Sequence, residues 1–239
     1  MFHVHSPRVP ATIAAVAALA ALAAGCSNGG TAAHTTGASK AATTQSGPVY
    51  TAAQLRNALL TTLNGVKPAV PIESGLYGEL PGVKATRASL KGVKITPAKC
   101  ATASSTGLAS PKFDQVPATV TTFRDGSDGV SEVLLSPPAA LMDSALTHAI
   151  PAGCAEYHAK VGSHTYTYRV KQEAAPSLGR DASELNVRAS GSDSANIWTV
   201  IYRTTGMVGA VTLVGSKASK ADADTLAEIA YQHAEKMLA

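Results

Sequence analysis

His148, Cys154, His158 and His164 lie within seventeen residues, and imidazole and thiolate are the ligand types that zinc prefers. Their spacing does not fit a structural zinc site. Such sites pair their ligands tightly, whereas these four would fall on a helix end, a turn and a strand. Cys154 also has a better use as half of a disulfide, so neither a metal nor any other cofactor is expected. Nucleophilic catalysis fares no better, because the chain contains no G-x-S-x-G and no S-x-x-K, and no serine sits in a recognisable strand-to-helix elbow. Asp125 and Asp128 occupy a turn, where carboxylates are common for backbone reasons alone. The chain is therefore not expected to be an enzyme. A hydrolase would need a nucleophile and a base brought within about 3 Å of each other from distant parts of the sequence.

The remaining cysteine, Cys26, carries a different chemistry. Residues 1–25 have a short head with Arg8 and then an uncharged apolar run from Ala11 to Ala24. That run is too short to cross a bilayer of roughly 30 Å, which needs about 20 apolar residues, and it predicts a secretory signal peptide. Ala23, Ala24 and Gly25 directly before Cys26 resemble the lipobox of bacterial lipoproteins. In that family the cysteine is lipidated and becomes the first residue of the mature chain. Leu usually stands three residues before the cysteine there, and here Leu22 stands four before it, so ordinary signal-peptidase cleavage nearby is the alternative. Residues 26–48 are nearly all small and polar, with too little apolar surface to offset the entropy of ordering. They predict a flexible tether joining a membrane lipid anchor to one folded domain over residues 49–239.

With residues 1–25 removed, the 20 basic and 16 acidic side chains become 19 and 16, a charge of +3. The basic residues are scattered along the sequence and give no nucleic-acid footprint. About 190 residues remain from Val49 onward, enough for one domain with its own core. With Cys26 assigned to lipid, Cys100 and Cys154 are the only pair left in a chain sent to an oxidising compartment, which predicts a disulfide.

The elements that would position these residues follow from pattern. Thr51 and AAQLRNALLTTLNG supply an N-cap, Leu55, Leu59 and Leu63 at intervals of four, and Gly65 as a stop. Lys67 to Pro117 reads as loop with one short strand at Val93–Thr96. ATVTTFRD, GSDG and VSEVLLS predict a hairpin, and Ser136 with Pro137 and Pro138 predicts the start of a helix that Pro151 ends. SHTYTYRV, ELNVRA, NIWTVIYR and MVGAVTLV read as strands, with Ile197 to Tyr202 apolar on both faces and therefore central. The closing helix carries a Ser219–Asp222 cap and a stripe of Leu226, Ile229, Ala230, His233 and Met237. The fold class is α+β, an antiparallel sheet with helices packed on one side. Tyr166, Tyr168, Tyr202 and Trp198 could line a ligand cleft, but alternate strand positions favour a core role, as the apolar helix face does for His233.

The order of features, with VSEVLLSPPAALMDSAL leading to the cysteine of PAGC and MVGAVTLVG followed by ADTLAEIAYQHAEKM, resembles mycobacterial lipoproteins related to the extracellular sensor domain of PknH-type receptor kinases. The resemblance implies a sensor-like extracytoplasmic domain. It transfers no individual functional residue, and the sensor domains usually carry two disulfides where this chain has cysteines for one. Two functions follow: a lipid-anchored binding module for an unknown envelope ligand or protein, and a carrier of apolar envelope lipids. An open polar cleft favours the first and a deep apolar pocket the second.

Overall fold

Ile197, Trp198, Val200, Ile201 and Tyr202 put apolar side chains on both faces of one strand, which therefore needs cover above and below. The computed structural model describes residues 49–126 and 128–239. The predicted signal peptide, Cys26 and the predicted tether lie outside the described residues. The strands are β1 (Glu73–Leu76), β2 (Val93–Thr96), β3 (Pro117–Asp125), β4 (Asp128–Leu135), β5 (Glu156–Val161), β6 (His164–Glu173), β7 (Asp181–Ser190), β8 (Ala195–Arg203) and β9 (Val208–Gly215). They form one sheet in the order β1-β3-β4-β9-β8-β7-β6-β5-β2, antiparallel at every step, with β8 in the middle and the four-residue strands β1 and β2 at the edges. The α+β class and the antiparallel sheet are as the sequence predicts.

Helices lie on both faces rather than one, because the two sides of β8 each require cover. Trp198, Val200 and Tyr202 face a cluster built with α1 (Ala52–Ala58) and α4 (Lys220–Leu238). Ile201 faces the opposite cluster, which contains Val83 of α2 (Pro81–Leu90) and Ala145 of α3 (Ala139–Leu146). Ile197 faces a third cluster on that second side, around the Cys100–Cys154 disulfide.

Thr51 caps α1 as expected, its side chain accepting from the Gln54 N–H while the Gln54 side chain accepts from the Thr51 N–H. The helix stops at Ala58 instead of running to Gly65. Leu59 turns into extended backbone, and the Leu60 N–H, beyond the helix end, donates to Glu132 Oε2 at 2.9 Å. Ser219 caps α4, but the buried stripe of that helix is Ala223, Ala227, Ala230 and Ala234. Of the predicted stripe only Ala230 is fully buried, while Ile229 and Met237 are exposed. Small residues let the helix axis approach the bulky side chains of β8 and β9, and Tyr231 meets Tyr202 edge-on at 5.6 Å.

The short strand expected at Val93–Thr96 is present as β2, but the rest of the stretch predicted as loop also holds β1 and α2, and single 3-10 turns follow at Ala98–Cys100, Gly107–Ala109 and Pro111–Phe113. Strand β5 was not expected either. Ser136 does not cap α3; it accepts from the Tyr50 N–H and donates to the Gly206 carbonyl, and the helix starts from Pro138 and ends at Leu146, well before Pro151.

The expected disulfide is present, with Cα atoms 5.3 Å apart. Both cysteines are fully buried beside Tyr157 and Tyr168, whose rings stack at 5.2 Å. The bond fastens the turn at Ala98–Cys100 to the approach to β5. Among the described residues, the three clusters and the bond give residues 49–239 a core of their own. The bridge spans 54 residues. A Cys100→Ala, Cys154→Ala variant should lose about 4 kcal/mol in urea unfolding by loop-closure entropy. Hydrogen exchange should show protection lost first over residues 97–116; uniform loss along the chain would show that the bond supports the central strands directly.

Candidate functional site

Gly107 brings two stretches of main chain unusually close. A Cβ at this position would stand 2.0 Å from the Ser144 carbonyl oxygen and 2.6 Å from that of Ala145. Only glycine permits this approach, which lays the turn at Gly107–Ala109 directly on α3. Alongside the contact opens a cleft of about 440 Å³, walled by Ser105, Thr106, Ser110, Lys112, Ser144 and His148 among others. That volume is typical of small-ligand sites, which run to roughly 300–1,000 Å³. The Arg203 guanidinium holds the outer side of α3 by ion pairs to Asp143 and, on β7, Asp181. Thr147 closes the helix end by donating from its hydroxyl to the Asp143 carbonyl at 3.0 Å.

His148 follows directly, its ring nitrogens shielded from solvent and lying against the main chain of Ser105 without the geometry of a full hydrogen bond. Burial pulls its pKa below the ordinary histidine value, partly opposed by the main chain of Ser105, so the ring is neutral at pH 7. A neutral imidazole offers one donor and one acceptor. The Ser105 hydroxyl in the same wall is also buried and without a partner, so it makes no hydrogen bond to His148. Buried polar groups left unpaired cost on the order of 1–3 kcal/mol each, a cost that a ligand presenting hydroxyl or amide groups would relieve.

Of the four possible metal ligands, only His148 reaches this cleft. Cys154 is in the disulfide, His158 lies on the exposed side of β5 against the Thr167 hydroxyl, and His164 begins β6. Among the described residues no three His, Cys, Asp or Glu side chains are gathered as a metal site would need. Asp125 and Asp128 face each other across the turn that closes the β3–β4 hairpin, the turn position expected for them. Tyr166, Tyr168, Tyr202 and Trp198 are core, and His233 is half-buried on α4. The cleft itself was missed. Its walls come from the run ATASSTGLAS, whose small polar residues show no period, and Ser105 has no motif around it.

A second group of unpaired polar atoms lies within the core under α1. The Glu132 side chain is wholly buried, and beyond the Leu60 N–H its other oxygen, Oε1, has no partner. The hydroxyls of Thr121, its directly paired neighbour on β3, and of Tyr202 are likewise unpaired. Burial raises the Glu132 pKa to about 8, with the Leu60 hydrogen bond opposing the shift, and burial also raises that of Tyr202.

No protein-family model matches the chain, and comparison with curated proteins finds no match. Two solved structures show partial likeness. The extracellular domain of PknH from Mycobacterium tuberculosis aligns at 11% identity and a TM-score of 0.38, over 61% of this chain and 77% of that one. An uncharacterized protein from Mycobacterium smegmatis aligns at 14% identity and 0.36, over 62% and 77%. The first is an extracellular domain of the kinase type that the sequence layout resembles. Likeness at this level carries no residue role across.

Glu132 makes a measurable prediction. Its folded pKa lies above the ordinary 4.5, so the folded state is stabilised by holding the proton; that contribution is complete below pH 4.5 and lost as pH rises through about 8. Glu132→Gln keeps an acceptor for Leu60 and removes the titration. Between pH 5 and pH 9 the parent should lose on the order of 3–4 kcal/mol more unfolding free energy than this variant. Parallel urea-midpoint profiles for the two proteins would show that the carboxyl is ionised in the fold.

Proposed function

We propose that this chain is a lipid-anchored, extracytoplasmic, sensor-like binding module that holds a small polar ligand in the cleft at His148. The observation that carries the binding role is an open cleft of about 440 Å³ whose wall holds the half-buried His148 ring and the unpaired Ser105 hydroxyl. The hydroxyl-lined opening suits a polar ligand, whereas a carrier of apolar lipids calls for a deep apolar cavity. Anchoring is supported by the sequence alone: the apolar run, the small residues before Cys26, and the polar stretch that joins them to the domain. No catalytic step is assigned to the cleft.

Each half of the proposal has its own measurement. Mass spectrometry of the mature protein should find an N-terminal Cys26 bearing acyl chains; a soluble product starting at any other residue overturns the anchor. For the cleft, the probes are inorganic phosphate, simple sugars and free amino acids, read by thermal shift. A ligand of the cleft should raise the melting midpoint of the parent and lose at least tenfold in affinity on His148→Gln, about 1.4 kcal/mol. A shift that survives His148→Gln unchanged would put the ligand elsewhere.

A further inference from the structure

Beyond α4, one face of the sheet is bare. Register carries the α1 and α4 face outward from β8, because Trp198 pairs with Asn186 and Asn186 with Lys171, while Asn196 pairs with Arg188 and Arg188 with Arg169. On β7, β6, β5 and β2 this face presents Arg188, Arg169, Lys171, Lys160 and Lys94, all exposed. Two of the contacts join like charges. Lys94 stands directly opposite Lys160, and Arg169 directly opposite Arg188. Like charges facing across a ladder destabilise the pairing, so sheet stability does not account for them. Glu156 and Glu173 neutralise Arg169 and Lys171, but Lys94, Lys160 and Arg188 have no ion-pair partner among the described residues.

The first described residues lie on the same side of the sheet. Tyr50, next to the first described residue, packs into the cluster beneath α1 and α4. Residues 26–48 connect it to Cys26, and 23 residues of that composition span on the order of 25–30 Å. A domain held at that distance meets the lipid surface at high effective concentration, so a weak electrostatic contact suffices.

We infer that this basic sheet face is a docking surface for an anionic phospholipid bilayer, an inference that rests on the anchored reading above. The twist of the sheet, about 20–25° per strand, turns the outer strands away from α4 and lets them meet a surface. Each exposed cation near such a surface contributes about fivefold in affinity, and salt screens the attraction.

The test uses residues 49–239 without an anchor, so that docking is read apart from lipidation. The probes are vesicles of phosphatidylcholine alone and of phosphatidylcholine mixed with phosphatidylglycerol. The domain should sediment with the mixed vesicles, not with the neutral ones, and should release as salt is raised. Lys94→Gln with Lys160→Gln should weaken binding by roughly 25-fold, two cations at about fivefold each, while melting no lower than the parent because a like-charge contact is relieved. Lys67→Gln with Arg124→Gln removes the same charge elsewhere and should leave binding within about twofold of the parent, less than the effect of one lost cation on the face. Equal binding to both vesicle types overturns the inference, as does equal weakening by the two double variants. Binding to a single-stranded oligonucleotide without binding to mixed vesicles also overturns it, in favour of a soluble polyanion. A lipidated Cys26 in a protein whose isolated domain ignores the vesicles would leave the anchored reading intact and remove only the docking face.

Discussion

The organising constraint is that strand β8 must be dry on both faces. Ile197 and Ile201 point one way, and Trp198, Val200 and Tyr202 the other, all nearly or wholly buried. A strand of this kind cannot sit on a one-sided sheet. One side is closed by two helices from opposite ends of the domain, α1 and α4, and the other by α2, α3 and the short turns that the disulfide fastens down. The candidate cleft is a product of that second closure. It lies where an irregular covering segment, kept in place by Cys100 and by the close approach at Gly107, meets the end of α3.

Much of the regular structure was legible because it rests on local signals. The caps at Thr51 and Ser219, the β3–β4 hairpin, the central place of Ile197–Tyr202 and the cysteine pair were all readable. What failed was set by tertiary context. Strands of four residues such as β1 are too short to show alternation, and α2 opens on Pro81-Gly82, which reads as a turn but places proline at the first helical position. On α4 the bulky residues suggested the buried stripe, yet steric room against Trp198 and Tyr202 selected alanines. The cations of β2, β5, β6 and β7 looked scattered along the chain, and only strand pairing brings them onto one face.

Two buried carboxyls on the α1 and α4 side show how differently the fold treats charge. Glu184, with no side-chain exposure, receives the Lys220 ammonium at 2.5 Å, and Asp224 one turn along α4 meets the same cation at 2.8 Å. This network joins β7 to the first turn of α4. Glu132 has only one main-chain N–H to meet it, which terminates α1 at the price of an acid that prefers to stay neutral. Breaking the first would leave an ammonium and a carboxylate unmatched, whereas the second keeps its proton at neutral pH and has no charge to match.

The two ends of the sheet have a consequence for life at high density. An exposed strand edge is a template on which a neighbouring copy can add its own strand, and long flat edges are where sheet proteins aggregate. Here a nine-stranded sheet terminates in two strands of four residues each, and Lys94 lies on one of them. Each edge offers little unpaired backbone to a second molecule. Many copies crowded side by side in a single plane would therefore remain separate molecules instead of zipping into a shared sheet.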